Sequence, residues 1–260
     1  MPTVRRDWLV VAEEELRDLW LAGRGLPLTL AFSLVLSVMT YLTATNTALN
    51  FLEQRESVNL TLQVAVAVGV LLVLLASADA LSGERERGTL ESLLLSPASR
   101  LDLVIGKAIA ALSIWLVAIV VSIPYVWFLG HGVGLVTVAL AGGVLVGTLL
   151  ALFLLGLGLA VSAFAGSNRL SLSVSMFVLL ALFAPTQLPG GAGQGWVGEL
   201  IQRVDPMSSG LHYLGTLVVD AHSAGQDIAW LLAPAVAAVL GILAAVVASH
   251  FLTLRGGTLS

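Results

Sequence analysis

The sequence predicts an all-α integral membrane protein. It has six transmembrane helices with both termini cytoplasmic, an N-terminal interfacial amphipathic helix, and a short cytoplasmic helix between spans 2 and 3. Three observations carry this. Apolar residues make up 58% of the 260-residue chain and charged residues only 11%, against about 25% charged in a soluble domain. The apolar residues gather into six runs, each near or above the roughly 20 residues a helix needs to cross a ~30 Å hydrocarbon core. Lysine and arginine fall almost entirely on alternate connections between those runs.

In chain order, residues 7–22 place Trp8, Ala12, Leu16 and Leu19 at helical spacing, with Glu13, Glu14, Arg17 and Asp18 mostly elsewhere on the wheel. Trp8 and Trp20 suit a headgroup region, so the stretch reads as a helix lying on the inner membrane face, or else as a solvated helix ahead of the first span. The charged stretch from Arg5 to Arg24 is too long and too acidic for a signal-peptide n-region, so the first span is expected to stay attached. The runs are 26–44, 60–78, 108–130, 134–163, 170–188 and 228–254. Backbone groups in lipid must pair within their own segment, which makes these runs helices. The short alternating segments of a membrane β-barrel are absent. The chain therefore reads as one transmembrane domain over 1–260.

The fourth run is long and is accommodated by a tilt or a break. Its Gly143 and Gly147 form a G-x-x-x-G pair that permits close helix approach, either within the chain or at a subunit interface. Pro124, Pro185 and Pro234 fall inside runs, and each removes a backbone hydrogen bond and is a candidate kink. The 189–227 segment is the one sizeable extracytoplasmic stretch. It opens with a turn-rich run from Pro189 to Gly193, followed by two apolar stretches around 196–204 and 211–219, separated by Asp205-Pro206. These either dip back into the outer leaflet or form a small solvated cap.

Orientation follows from the basic residues. Arg5, Arg6, Arg17, Arg24, Arg85, Arg87, Arg100, Lys107, Arg169 and Arg255 lie on one side, and Arg55 and Arg203 on the other. Both termini and the 2–3 loop are thus expected to be cytoplasmic.

That loop, 82–107, is the most informative part of the chain. Glu84, Arg85, Glu86 and Arg87 alternate in charge just inside the membrane. Gly88 breaks the helix and Thr89 is placed to cap a new one. Leu90, Leu93 and Leu94 follow at i, i+3 and i+4 as a short apolar face beside Glu91. Ser96-Pro97 ends it. Ser99-Arg100-Leu101-Asp102 then has the form of a capping box for the third span. The spacing builds a short helix pinned between two spans, an apolar knob within a polar rim. Its role is either to dock a partner or only to anchor the loop.

The string from Gly83 through Glu84-Arg85-Glu86-Arg87-Gly88-Thr89-Leu90-Glu91, Leu93-Leu94, Ser96-Pro97 and Ser99-Arg100 resembles the signature of ABC-2 type transporter permeases. Gly106-Lys107, the stretch from Glu14 to Leu19 and the six-span layout fit the same family. The resemblance implies a permease that works with a second permease chain, as homodimer or heterodimer, and with ABC ATP-binding subunits that carry ATP and Mg. It implies that 82–100 is the ATPase-coupling loop, that 7–22 is the family's connecting helix, and that transport is usually export. It also implies a multi-pass protein of the cytoplasmic (plasma) membrane. The substrate-contacting residues are not implied. Within the family, an exporter of a drug, lipid or polymer competes with a permease similar to those of nitrous-oxide-reductase maturation, which serve metal-centre assembly.

Other chemistries have little support in the residues. With no cysteine, disulfides and thiolate metal sites are excluded. A net charge of −4 without a basic stripe argues against nucleic acid. Gly106-Lys107 is followed by Ala108 and is preceded by Leu101 where a P-loop needs glycine, so no nucleotide site is expected in this chain. No metal is expected, since His131, His222 and His250 have no carboxylate or histidine at i+3 or i+4. An intramembrane protease needs a serine–histidine pair at matching depth, and Ser162, Ser171, Ser173 and Ser175 lack that context. A channel or scaffold without ATPase is the remaining class. Asp79 and Lys107, at the inner ends of spans 2 and 3, are expected to be solvated or paired with each other. Asn59-Leu60-Thr61 abuts a span and is a chance glycosylation pattern.

Overall fold

The computed structural model describes residues 7–21, 23–45, 51–96, 98–187 and 195–252. Among them the chain forms ten α-helices joined by turns and short 3-10 segments, without a strand. They are α1 (Asp7–Trp20), α2 (Gly25–Ala44), α3 (Phe51–Arg87), α4 (Leu90–Leu94), α5 (Arg100–Gly130), α6 (Val136–Phe164), α7 (Asn168–Phe183), α8 (Trp196–Val204), α9 (Pro206–Val218) and α10 (Leu232–His250). Six helices are long and apolar enough to cross a membrane: α2, α3, α5, α6, α7 with the 3-10 turn Ala184–Gln187, and α10 with the 3-10 turn Ile228–Leu231. The expected positions 5, 6, 22, 188–194 and 253–260, with Arg5, Arg6, Arg255 and the run from Pro189 to Gly193, lie outside the described residues.

The helices outrun the apolar stretches that reveal them. α3 extends past 60–78 at both ends, and α5 begins at Arg100 rather than 108. Their polar ends remain helical because other elements pair them. Gln54 Nε2 donates to Leu129 O at 3.2 Å, and Arg55 Nη1 donates to Val218 O at 3.3 Å and to Val219 O at 3.4 Å, closing the end of α9. Of the three prolines, only Pro124 lies in a helix beyond its first turn. Pro185 sits in the 3-10 turn where α7 has ended, and Pro234 lies in the first turn of α10, where its missing N–H has no partner to lose.

α6 is the central helix, with Leu150, Ala151 and Leu154 fully enclosed. A Cβ at Gly143 would lie 2.6 Å from Leu62 Cδ1 of α3, and Gly147 faces the Trp115 ring of α5. The G-x-x-x-G pair thus serves packing within the chain. The closest backbone crossing lies elsewhere. Gly156 of α6 meets Gly241 of α10, where a Cβ would stand 2.6 Å from Phe153 O.

α1 packs against α5 at Gly106, whose Cβ would fall 2.5 Å from Val11 Cγ1 and 3.0 Å from Ala12 N. Ala12 is buried, Leu19 packs on the core, and Trp20 donates from Nε1 to Ser113 Oγ at 3.0 Å. The stripe expected to lie on the membrane face therefore turns in part toward the bundle, leaving Leu9, Val10 and Leu21 as the exposed apolar residues of this segment.

At the bundle end away from α1 and α4, α9 lies among α3, α6, α7 and α10. Leu214 and Leu217 pack over Gly142, and Gly210 approaches Val146. Met207, Leu214 and Val218 are fully buried. A solvated cap would leave such a helix wet, whereas α9 is buried against the other helices of the bundle. α8 differs in keeping Trp196, Val197, Leu200 and Val204 exposed. Asp205 joins the two by accepting from Ser208 N at 2.6 Å, with Pro206 at the first helical position.

Candidate functional site

The segment 84–100 and the residues that hold it form the candidate site. α3 runs on through Arg87 because no breaker precedes Gly88. At Gly88 the backbone turns left-handed, with φ 74. Gly88 N bonds to Arg85 O at 3.2 Å and Thr89 N to Glu84 O at 3.0 Å, a Schellman ending. Thr89 does not cap α4 as expected. Its hydroxyl donates back to Glu84 O at 3.2 Å and to the Glu84 carboxylate, sealing α3 instead. The capping box at Ser99 and Asp102 is present, with Ser99 Oγ accepting from Asp102 N at 3.1 Å and Asp102 Oδ2 from Ser99 N at 3.2 Å.

α4 is a single turn between these two caps. Its expected apolar face is turned inward: Leu90 is buried, Leu94 packs against the core and Leu93 is half-buried. A five-residue helix has no stability of its own, so it must bury one face to hold its place. What α4 shows outward is Glu91, Ser92 and, just beyond, Leu95, which is 75% exposed. The knob is therefore Leu95 rather than Leu93 and Leu94. Ser96 Oγ donates to Leu93 O at 2.7 Å. Pro97 lies outside the described residues. Arg100 is exposed and reaches His250 O at the end of α10.

The four alternating charges are not a free rim. Arg85 donates to Ala165 O and, at 2.9 Å, to Ala163 O, capping the end of α6. Glu86 accepts from Asn168 N at 3.2 Å at the start of α7. Arg87 pairs with Asp79 at 3.3 Å and approaches Glu84 at 3.8 Å. Glu84 is also 3.6 Å from Lys107 Nζ. Lys107 is 2% exposed and pairs with Glu15 of α1 at 2.5 Å.

Asp79 is held by Arg24 at 3.2 Å and by Asn168 Nδ2 at 2.7 Å. The expected pairing of Asp79 with Lys107 is absent, and Lys107 is buried rather than solvated, whereas the Asp79 side chain keeps 29% exposure. The two residues serve separate clusters that join through Glu84 and Arg87. One turn earlier, Ser162 Oγ accepts from Leu81 N at 3.0 Å and Ser82 N at 2.8 Å, and Ala78 O accepts from the Ser82 and Ser171 hydroxyls, each at 2.7 Å. Two of the serines weighed as nucleophiles stitch α3 to α6 and α7.

Glu15, Arg24 and Asn168 were not expected from sequence to hold this segment. One signal pointed to Glu15: Lys107 is the lone lysine beside eleven arginines, and it opens an apolar run. A cation buried there requires an anion nearby.

At the other end, His222 Nδ1 lies 2.6 Å from Asp227 Oδ2, and this bond holds the Asp227 carboxyl below its usual range. His212 packs against Trp230 with ring centroids 4.0 Å apart, and burial lowers its pKa. His131 stacks on Trp127, and His250 Nδ1 contacts Val246 O of its own helix. Among the described residues, no three histidines or carboxylates converge as metal ligands. Asn59 is buried, closed to a glycan.

Two comparisons bear on the chain. The sequence model of a family described as ABC-2 family transporter protein matches residues 9–214, which include α1, the segment 84–100 and five of the six membrane helices. No curated protein matches the chain.

Proposed function

The chain belongs to the ABC-2 family of transporter proteins and is a multi-pass membrane permease, and from that membership we propose that it is the transmembrane subunit of an ATP-driven exporter. In this reading an ABC ATP-binding subunit, which supplies ATP and Mg, docks on the face of α4 that carries Glu91, Ser92 and Leu95. A second permease chain completes the pathway. The end bearing α1 and α4 is cytoplasmic and the membrane is the cytoplasmic membrane. The basic residues described here support that sidedness, since Arg17, Arg24, Arg85, Arg87, Arg100, Lys107 and Arg169 lie at or beyond that end and Arg55 and Arg203 at the other.

One observation carries the docking reading. A large apolar side chain, Leu95, stands in the open at the tip of a single turn whose own apolar face is already buried. The flanking residues are held by a Schellman ending on one side and a capping box on the other. A push on such a tip passes into α3 and α5.

Leu95→Asp tests it. The variant is expected to insert and elute like the parent but to retain less than a tenth of the ATPase subunit in a pull-down. Full retention of the ATPase would remove α4 as the docking element.

A further inference from the structure

We infer that the cavity between α3, the end of α7, α8 and α9 binds an uncharged amphiphile, a molecule with an apolar body and a head of several hydroxyl or amide groups, and excludes anions. This names a class of cargo and so rests on the permease reading.

The cavity holds about 540 Å³, within the roughly 300–1,000 Å³ of small-molecule sites. Leu60, Val64, Phe183 and Leu211 give it an apolar side. Gln63, Thr186, Gln202, Ser208, His212 and Thr216 bring amide, hydroxyl and imidazole groups to the same space. Among these, Ser208 is buried: Asp205 takes its N–H and lies against its hydroxyl, whose oxygen accepts no hydrogen bond among the described residues. A buried polar atom left open on a cavity wall is a place where a ligand hydroxyl or amide gains a bond.

Charge selects the head. Among the described residues lining the cavity there is no lysine or arginine. The two arginines of this end are engaged elsewhere, Arg203 over the Trp230 ring and Arg55 on Val218 O and Val219 O. The one charged lining residue, Asp220, is exposed at the rim. Water screens its charge, so it neither draws cations strongly nor offers anions a partner. Burial lowers the pKa of His212, which keeps its ring an uncharged donor and acceptor near neutrality. Six neutral hydrogen-bonding side chains against one solvated carboxylate favour a neutral head.

The test uses the full chain in lipid nanodiscs and a decyl glucoside carrying a photoreactive diazirine, with crosslinks mapped by mass spectrometry. Labelling is expected to saturate and to fall on 60–67 and 208–220. Decyl glucoside is expected to compete, and decyl sulfate at the same concentration is not. Gln202→Leu, at a half-buried position of α8, and Ser208→Ala are each expected to lower labelling at least fivefold with an unchanged elution profile.

The inference is overturned by labelling that does not saturate and spreads over the lipid-facing sides of α2 and α5, or by equal competition from decyl sulfate. It is also overturned by stronger competition from decyltrimethylammonium, which would mark a cation site governed by Asp220. If labelling fails while Leu95→Asp still releases the ATPase, only this inference falls. If labelling succeeds and no ATPase binds the parent chain, the permease reading falls instead.

Discussion

Replacing Lys107 with methionine removes a buried cation that joins α1, α3 and α5. Lys107 Nζ lies 2.5 Å from Glu15 and 3.6 Å from Glu84, with the lysine side chain 2% exposed. Deleting one partner of a buried ion pair costs about 3–5 kcal/mol, because the remaining charge is stranded. Here Glu15 and Glu84 keep 24% and 18% of their side-chain exposure, and Glu84 keeps Thr89 and Arg87. Partial rehydration therefore puts the loss at the low end, about 3 kcal/mol. In a chain of this size each kcal/mol moves Tm by about 2–4 °C, so Lys107→Met lowers Tm by about 6–12 °C.

The assay is thermal unfolding of the purified protein in detergent, followed by tryptophan fluorescence. Adding Glu15→Gln to Lys107→Met removes the stranded carboxylate and is expected to recover about half of the loss, a non-additivity that marks direct contact. Glu13→Gln is the control. Its i,i+4 pair with Arg17 at 3.3 Å is exposed on both sides and contributes about 0.3–0.5 kcal/mol. The reasoning is refuted if Lys107→Met shifts Tm no more than Glu13→Gln does, or if the two substitutions at Lys107 and Glu15 simply add.

Four further predictions use other parts of the fold. Gly241→Ala drives a Cβ toward the Phe153 carbonyl, backbone that cannot step aside, and is expected to cost about 1–3 kcal/mol. Gly143→Ala meets only the tip of Leu62, so the cost of moving that tip offsets the ~1 kcal/mol helix-propensity gain of alanine and Tm is expected to stay unchanged. His212 has its pKa lowered by burial, so the unfolded chain takes up that proton first. Stability is then full above about pH 6.5 and declines as pH falls below it. His212→Gln is expected to flatten that decline, measured by hydrogen exchange of α9 at pH 7.5 and 5.5. Gly225 is exposed in open space, and Gly225→Cys is expected to react with an impermeant maleimide in intact cells. Reaction only after permeabilisation would invert the topology.

Much of the fold was legible because lipid imposes long apolar runs, and those runs are the helices. The capping box was legible because Ser99 and Asp102 carry it within four residues. Less visible were the polar ends of α3, where Gln54 and Arg55 find partners 75 and 163 residues away. α9 was hard to read for a related reason. Its small and polar residues, Ser208, Ser209 and Gly210, resemble a loop until α6 is seen to offer Gly142 as a seat for Leu214 and Leu217. Hydropathy counts what lipid must touch, whereas these segments touch protein.

The charged stretch 84–87 was misread for a geometric reason. At 3.6 residues per turn, four consecutive helical residues point about 100° apart and together look almost all the way around the axis. In a helix that runs to Gly88 they cannot all face one way. Because α3 continues to Arg87, each charge meets a different neighbour: Glu84 faces Lys107 of α5, Arg85 the end of α6, Glu86 the start of α7, and Arg87 the Asp79 carboxylate. Charge reversal at Glu84 and Glu86 would therefore strike the contacts of α3 with α5 and α7 at once. Loss of transport in that variant could not distinguish a lost partner from a loosened bundle. Leu95 makes the cleaner probe, because among the described residues of 84–100 it is the large apolar side chain that the chain itself leaves exposed.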